Sequence, residues 1–129
     1  MADMRIEVVD RRALITVLGH MDPDQTIAFV GEHYPTGAFS DAIWDLRGTE
    51  LLHLRADELR RIADAVRVHS VHRQRGRTVF VRDDDAGYGM LRMYTAYAEM
   101  EGVPASYFVC RTMEEALAWL AEPPAPGAD

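Results

Sequence analysis

Three consecutive carboxylates, Asp83-Asp84-Asp85, are followed closely by Gly87, Tyr88, Gly89 and Arg92. The acids could supply oxygen ligands to a divalent cation, and the two glycines would let a ligand approach the backbone closely. Tyr88 and Arg92 stand four apart on one helical face, from which an arginine fork could grip a carboxylate or phosphate. Each feature also has a plainer reading. Acids before a helix cap its free amides and offset its dipole. Arg92 could pair with Glu99 or a strand-end aspartate and only order the surface. Gly-x-Gly lacks a third glycine and follows an acid-flanked strand, so it is a poor dinucleotide signature.

Asp45 ends the apolar run Ala42-Ile-Trp-Asp-Leu46, with Arg47 just beyond it. Asp45 with Asp83 or Asp84 forms a weak alternative Mg²⁺ set, which would suit a metal-assisted hydrolase. Against it, there is no phosphate-binding lysine, since all 14 basic residues are arginines. That absence also removes Schiff-base chemistry. His69 and His72 are three apart but lack a third ligand, which marks a solvated face. His20 and His53 border loops without a nucleophile. Ser40, Ser70 and Ser106 sit in no Gly-x-Ser-x-Gly elbow. Cys110, the only cysteine, closes an apolar run and reads as a small core residue. Residue types and spacing point to no catalytic residue and no cofactor. A candidate ligand site remains at Tyr88, Arg92, Met90, Asp45 and Arg47. Met90, Met93 and Met100, interleaved with Tyr94 and Tyr97, suit either an adaptable apolar cavity or ordinary core packing.

These residues need elements to hold them. Met4–Asp10 and Ala13–Gly19 alternate and predict a β-hairpin. Asp22-Pro-Asp-Gln25 opens a helix, with Asp22 as cap, Pro23 in the first position and Gln25 closing a capping box. That helix would bury Ile27, Val30 and Tyr34 before Pro35-Thr-Gly37. Ala42–Leu46 is a doubly buried strand. Asp57 to about Arg73 is helical, with Leu59, Ile62, Ala63 and Val66 inward. Thr78–Val81 is the next strand, and a helix from about Ala86 to Glu101 would bury Met90, Met93, Tyr94 and Tyr97. Ala105–Cys110 is the last strand; Thr112-Met-Glu-Glu115 caps a helix burying Met113, Ala116, Leu117 and Leu120. The order β-β-α-β-α-β-α-β-α predicts a single α/β domain with a mixed, mostly parallel five-stranded sheet. The domain spans 1–121, and 122–129 form a flexible Pro-rich tail.

Composition bounds the rest. With 129 residues, 48% apolar and 27% charged, one core suffices without staples. A net charge of −7 argues against nucleic acid as partner. No apolar run reaches the ~20 residues needed to span a bilayer. The N-terminus lacks the charged start and apolar core of a secretion signal, so the cytoplasm is the expected location.

The element order, with the stretches Gly19-His-Met-Asp22, Ile43-Trp-Asp-Leu-Arg-Gly48, Asp57-Glu-Leu-Arg-Arg61, Tyr88-Gly-Met-Leu-Arg-Met-Tyr94 and Glu114-Glu-Ala-Leu-Ala-Trp-Leu120, resembles the SpoIIAA-like family. That family is related to the STAS domain and, in fold, to the Sec14/CRAL-TRIO lipid-binding group. Members of that family mostly lack an assigned activity; the expectation for this chain is a non-catalytic regulatory or binding domain working by protein–protein contact, as a homodimer, through an apolar patch near the sheet edge that includes Tyr88 and Met90. Its lipid-binding relatives imply an alternative: a carrier for a small amphipathic, acyl-like ligand in an apolar cavity beside Tyr88 and Arg92. One departure matters. Anti-sigma antagonists of this kind carry a phosphorylatable serine just before the helix after the third strand. Here Asp45–Arg55 holds no serine, and Thr49, its only hydroxyl, sits too early.

Overall fold

A computed structural model describes residues 1–73 and 76–123, with the side chain of His72 left out. Its elements are β1 (Ala2–Val9), β2 (Arg12–His20), α1 (Pro23–His33), β3 (Asp41–Asp45), β4 (Thr49–Glu50), α2 (Ala56–His69), β5 (Gly76–Val81), α3 (Asp85–Met100), β6 (Ala105–Cys110) and α4 (Met113–Ala121). The sheet runs β1-β2-β3-β5-β6, with β1 antiparallel to β2 and the remaining pairs parallel. This is the single mixed α/β domain that the periodicity predicts. β4, two residues pairing with the end of β2 at Gly19–His20, lies outside the five strands that the sequence predicts. A strand so short carries no alternation to read.

The hairpin closes through Asp10 and Arg11, both at positive φ (52° and 62°), the two-residue geometry that matches strand twist. Asp22 caps α1 by accepting from the Asp24 amide at 2.9 Å, with Pro23 in the first turn. Gln25 does not complete a capping box. Its amide instead exchanges two hydrogen bonds with the Ala2 backbone (2.9 and 2.7 Å), tying β1 to α1.

Period two along the buried strands divides the core in two. Trp44, Leu46 and Phe80 face α1, α2 and α3 in the larger cluster. Ile43, Val79 and Val81 face α4 through Ala116 and Leu120. The α2 stripe is Leu59, Ile62, Ala63 and Val66, as its amphipathic period predicts. α3 is rotated from the expected setting and buries Gly87, Leu91, Tyr94 and Ala98, leaving Met93 and Met100 exposed.

Candidate functional site

β3 and β5 are adjacent and parallel, with Asp45 opposite Val81, so their carboxyl ends form one edge. Arg82 organises that edge. Immediately after β5, its buried guanidinium donates through Nη1 to the carbonyl of Leu46 at 2.7 Å and also to that of Thr49. Its Nε bonds Asp84, which in turn caps α3 by accepting from the Gly87 amide at 2.8 Å. Gly87 is small for this reason: a Cβ there would lie 2.5 Å from Arg82 Nε. Gly89 faces open space. Capping by Gly87's amide and bonding by Arg82 hold the Asp84 carboxyl below the usual carboxylate range.

Asp45 and Arg47 form a two-point pair, Nε to Oδ1 at 2.9 Å and Nη2 to Oδ2 at 2.8 Å. The Arg47 side-chain hydrogen bond lowers the Asp45 pKa, against partial burial. Both residues border a shallow depression with Gly48 and Asp83. Asp45 and Asp83 therefore come together, while Asp84 turns away to cap α3. Among the described residues, no group of three or more His, Cys, Asp or Glu side chains could hold a metal ion.

Tyr88 is half-buried beneath Arg111, whose Cζ stands 4.5 Å from the ring centre. Arg111 also pairs with Asp85 at 2.8 Å and donates to the Asp83 carbonyl at 3.0 Å. The arginine seated on Tyr88 is thus Arg111, twenty-three positions along the chain, rather than its helix neighbour Arg92. Arg92 is exposed, and among the described residues its guanidinium has no hydrogen-bond or ion-pair partner. On the α2 side, the rings of His20 and His53 stack at 3.7 Å, with His53 Nε2 placed 2.6 Å from the Met21 carbonyl.

Met90 belongs to a different space. It helps line a half-enclosed apolar hollow of about 50 Å³ between the sheet and α1–α3. Met21, Leu46 and Met90 lie toward the carboxyl edge of the strands; Tyr34, Thr78 and Tyr107 lie toward the opposite edge. Tyr88 and Arg92 are not in its wall. Trp44 crosses its floor and donates Nε1–H to the Tyr34 hydroxyl at 3.1 Å. Burial pushes the Tyr94 and Tyr107 hydroxyls upward in pKa.

Sequence reasoning missed the two buried arginines. Arg82 stands beside three acids, a setting that carries no mark of burial. Arg73 has no exposed surface and donates Nε to the Ser40 carbonyl (3.0 Å) and Nη2 to the Thr78 hydroxyl (2.9 Å). Its guanidinium lies 4.8 Å from the Tyr34 ring centre. An arginine in a stretch that holds Arg67, Arg73, Arg75 and Arg77 carries no sequence mark of burial.

No family model matches the chain, and no curated protein matches it. Solved structures do. An anti-sigma factor antagonist from Mycobacterium paratuberculosis superposes with a TM-score of 0.59 at 17% identity, covering 95% of this chain and 96% of that one. An uncharacterised protein with a SpoIIAA-like fold from Shewanella loihica gives 0.58 at 13%, over 92% and 93%. The anti-sigma factor antagonist SpoIIAA in its unphosphorylated form gives 0.56 at 17%, over 94% and 100%. The chain is similar to these along nearly its whole length, and the fold it adopts is SpoIIAA-like.

Proposed function

We propose that this domain is a non-catalytic regulatory module that binds another protein through the carboxyl edge of its sheet, and that it self-associates as a homodimer. The observation that carries this reading is the bonding of Arg82. One buried side chain fixes the β3–β4 loop, the end of β5 and the cap of α3. A rim held this way presents Asp45, Arg47, Asp83 and Arg111 with little left to order on binding. Neighbours in fold named as anti-sigma factor antagonists support a protein partner. Thr49 is buried and donates its hydroxyl to the Gly19 carbonyl at 2.7 Å, so a phosphate there would disrupt the β2–β4 contact. A switch by phosphorylation at Thr49 is therefore not part of the reading. The test is capture of a partner by wild type and by Arg47→Glu, followed by reconstitution with the purified partner. Selective loss with Arg47→Glu is expected; equal binding by both would refute the rim. Light scattering on the wild type tests the dimer, and a strict monomer at high concentration refutes it.

The hollow supports a second reading: a carrier for a small amphipathic ligand. Met90, Asp45 and Arg47 divide between the two readings, Met90 to the hollow and the pair to the rim. Tyr88 and Arg92 remain candidates for the rim contact, Arg92 through its exposed fork.

A further inference from the structure

β1 is an edge of the sheet: it pairs with β2 alone, and the order β1-β2-β3-β5-β6 leaves its other side bare. The hairpin decides which of its backbone groups point outward. Val9 and Arg12 flank the two-residue Asp10–Arg11 loop and exchange hydrogen bonds, and bonded and non-bonded pairs alternate from there. Met4, Ile6 and Val8 therefore turn N–H and C=O away from β2, as does Ala2. Ala2 is already satisfied, because Gln25 takes both of its groups. Among the described residues, nothing outside the hairpin bonds the backbone of Met4, Ile6 or Val8. A long bare edge is a template for another strand unless proline, a bulge or a covering element blunts it. β1 has eight residues, none of them proline, in unbroken register with β2.

We propose that β1 pairs antiparallel with β1 of a second copy of this chain, about a two-fold axis at Ile6. This deepens the homodimer reading and rests on it. The residues select the register. With Ile6 opposite its own counterpart, Met4 faces Val8 of the copy, and every free N–H and C=O of these residues gains a partner. On the other face of the strand, Asp3, Arg5 and Glu7 alternate in sign. The same axis sets Arg5 against Glu7 of the copy and Glu7 against Arg5. These fall at non-hydrogen-bonded sites, where opposed side chains come closest. In the single chain Arg5 meets only Asp3, at 3.0 Å on the surface, and Glu7 has no ion-pair partner among the described residues. Toward the helices, Met4 and Ile6 pack on the larger core and Val8 is 41% exposed, so the apolar row would continue across the axis. Neighbouring registers fail. Centring on Arg5 opposes Arg5 to itself and Asp3 to Glu7, and centring on Glu7 opposes two glutamates; like charges directly opposite destabilise. Centring on Met4 calls on Ala2, which Gln25 occupies. β2 separates β1 from β3, so the carboxyl rim stays open to a different protein.

Light scattering on the wild type up to about 1 mM should show a monomer–dimer equilibrium. Arg5→Glu sets carboxylates against each other on both sides of the axis, and Glu7→Arg does the same with guanidinium groups. Each variant alone should dimerise at least about tenfold more weakly than wild type. Mixed in equal amounts, the two variants restore both opposite-charge pairs, and the mixture should recover dimerisation. Both positions are exposed, so neither change disturbs the core. Val8→Pro tests the backbone: it removes one outward N–H, leaves the ladder to β2 in place and should also favour the monomer. A dimer unaffected by Arg5→Glu, Glu7→Arg or Val8→Pro would overturn the β1 interface and leave the homodimer reading standing. Weakened single variants whose mixture stays monomeric would overturn the Ile6 register. Growth beyond a dimer, as β1 docking on the β6 edge of the next copy would give, would overturn the two-fold axis. A strict monomer at about 1 mM would overturn both the interface and the homodimer reading. Binding of another protein at the rim is untouched by any of these results, since its own test uses Arg47→Glu.

Discussion

The Arg82 Nη1 atom donates to the Leu46 carbonyl at 2.7 Å, adding a side-chain tie between two neighbouring strand ends to the backbone bond from the Leu46 amide to the Val81 carbonyl at 3.0 Å. β3 has ended at Asp45 and β5 at Val81, so without Arg82 the Leu46 carbonyl would keep only the Thr49 amide, at 3.5 Å, and the Thr49 carbonyl would lose its side-chain donor. Replacing Arg82 with Met removes the charged donor from both carbonyls and leaves Asp84 without its cation. Hydrogen bonds to charged groups each contribute about 1.5–3 kcal/mol. Arg82→Met should therefore lower stability by about 2–4 kcal/mol, read in urea as a fallen midpoint with an unchanged slope. A variant as stable as wild type would dismiss Arg82 as the organiser of this edge.

The two glycines of α3 should separate sharply. A Cβ at Gly87 meets Arg82 Nε at 2.5 Å, Arg82 Cγ at 2.8 Å and Asp84 Oδ1 at 2.9 Å. Gly87→Ala must displace the guanidinium and should lower stability by about 1–3 kcal/mol despite alanine's better helix propensity. Gly89→Ala meets nothing within 4 Å and should stabilise by up to about 1 kcal/mol. Paired urea melts check this, and equal effects at the two positions would contradict the packing described.

The pairing of Asp45 with Arg47 has a definite sign in pH. The Arg47 hydrogen bond depresses the Asp45 pKa in the folded chain, so the folded state holds the ionised form more tightly than the unfolded state does. The resulting stabilisation is complete above the ordinary aspartate range, about 3.9, and is lost as pH falls through the lower folded value. Arg47→Gln should move the Asp45 titration upward, seen by carboxyl carbon NMR, and should flatten the acid limb of the stability curve. An Asp45 titration unchanged by Arg47→Gln would show that the pair does not persist in solution.

The elements legible in the sequence were those with one unambiguous pattern. α2 alternates a narrow apolar stripe with charge, and its four inward residues follow directly. The strands are short apolar runs between turn residues. α3 resisted because apolar residues occur all round it; Met93 and Met100 have the right chemistry for a core and the wrong angular position. The candidate site divided for a related reason. Spacing along one helix favoured Arg92 as the partner of Tyr88, but the ring is met from another loop by Arg111. Register between strands, not spacing within a helix, decided which charges meet. Arg73 and Arg82 were illegible because nothing about an arginine's neighbours in sequence reveals that two backbone carbonyls and a hydroxyl await the one in space, and two carbonyls the other.

Cys110 offers a last check on the layer beneath α4. It is buried at the end of β6, beside Val81 in register, and its Sγ–H donates to the Thr112 carbonyl at 3.4 Å. Burial, reinforced by the Glu115 carboxylate, pushes its pKa up to about 11. At pH 8 such a thiol is about 0.1% ionised, against roughly a quarter for an unperturbed cysteine. Because only the thiolate attacks, labelling by a disulfide reagent should be at least a hundredfold slower in the folded protein than in denaturant. The rate should climb about tenfold per pH unit up to the folded pKa. A native thiol that reacts as fast as the unfolded one at pH 8 would mean that α4 does not stay seated on the sheet.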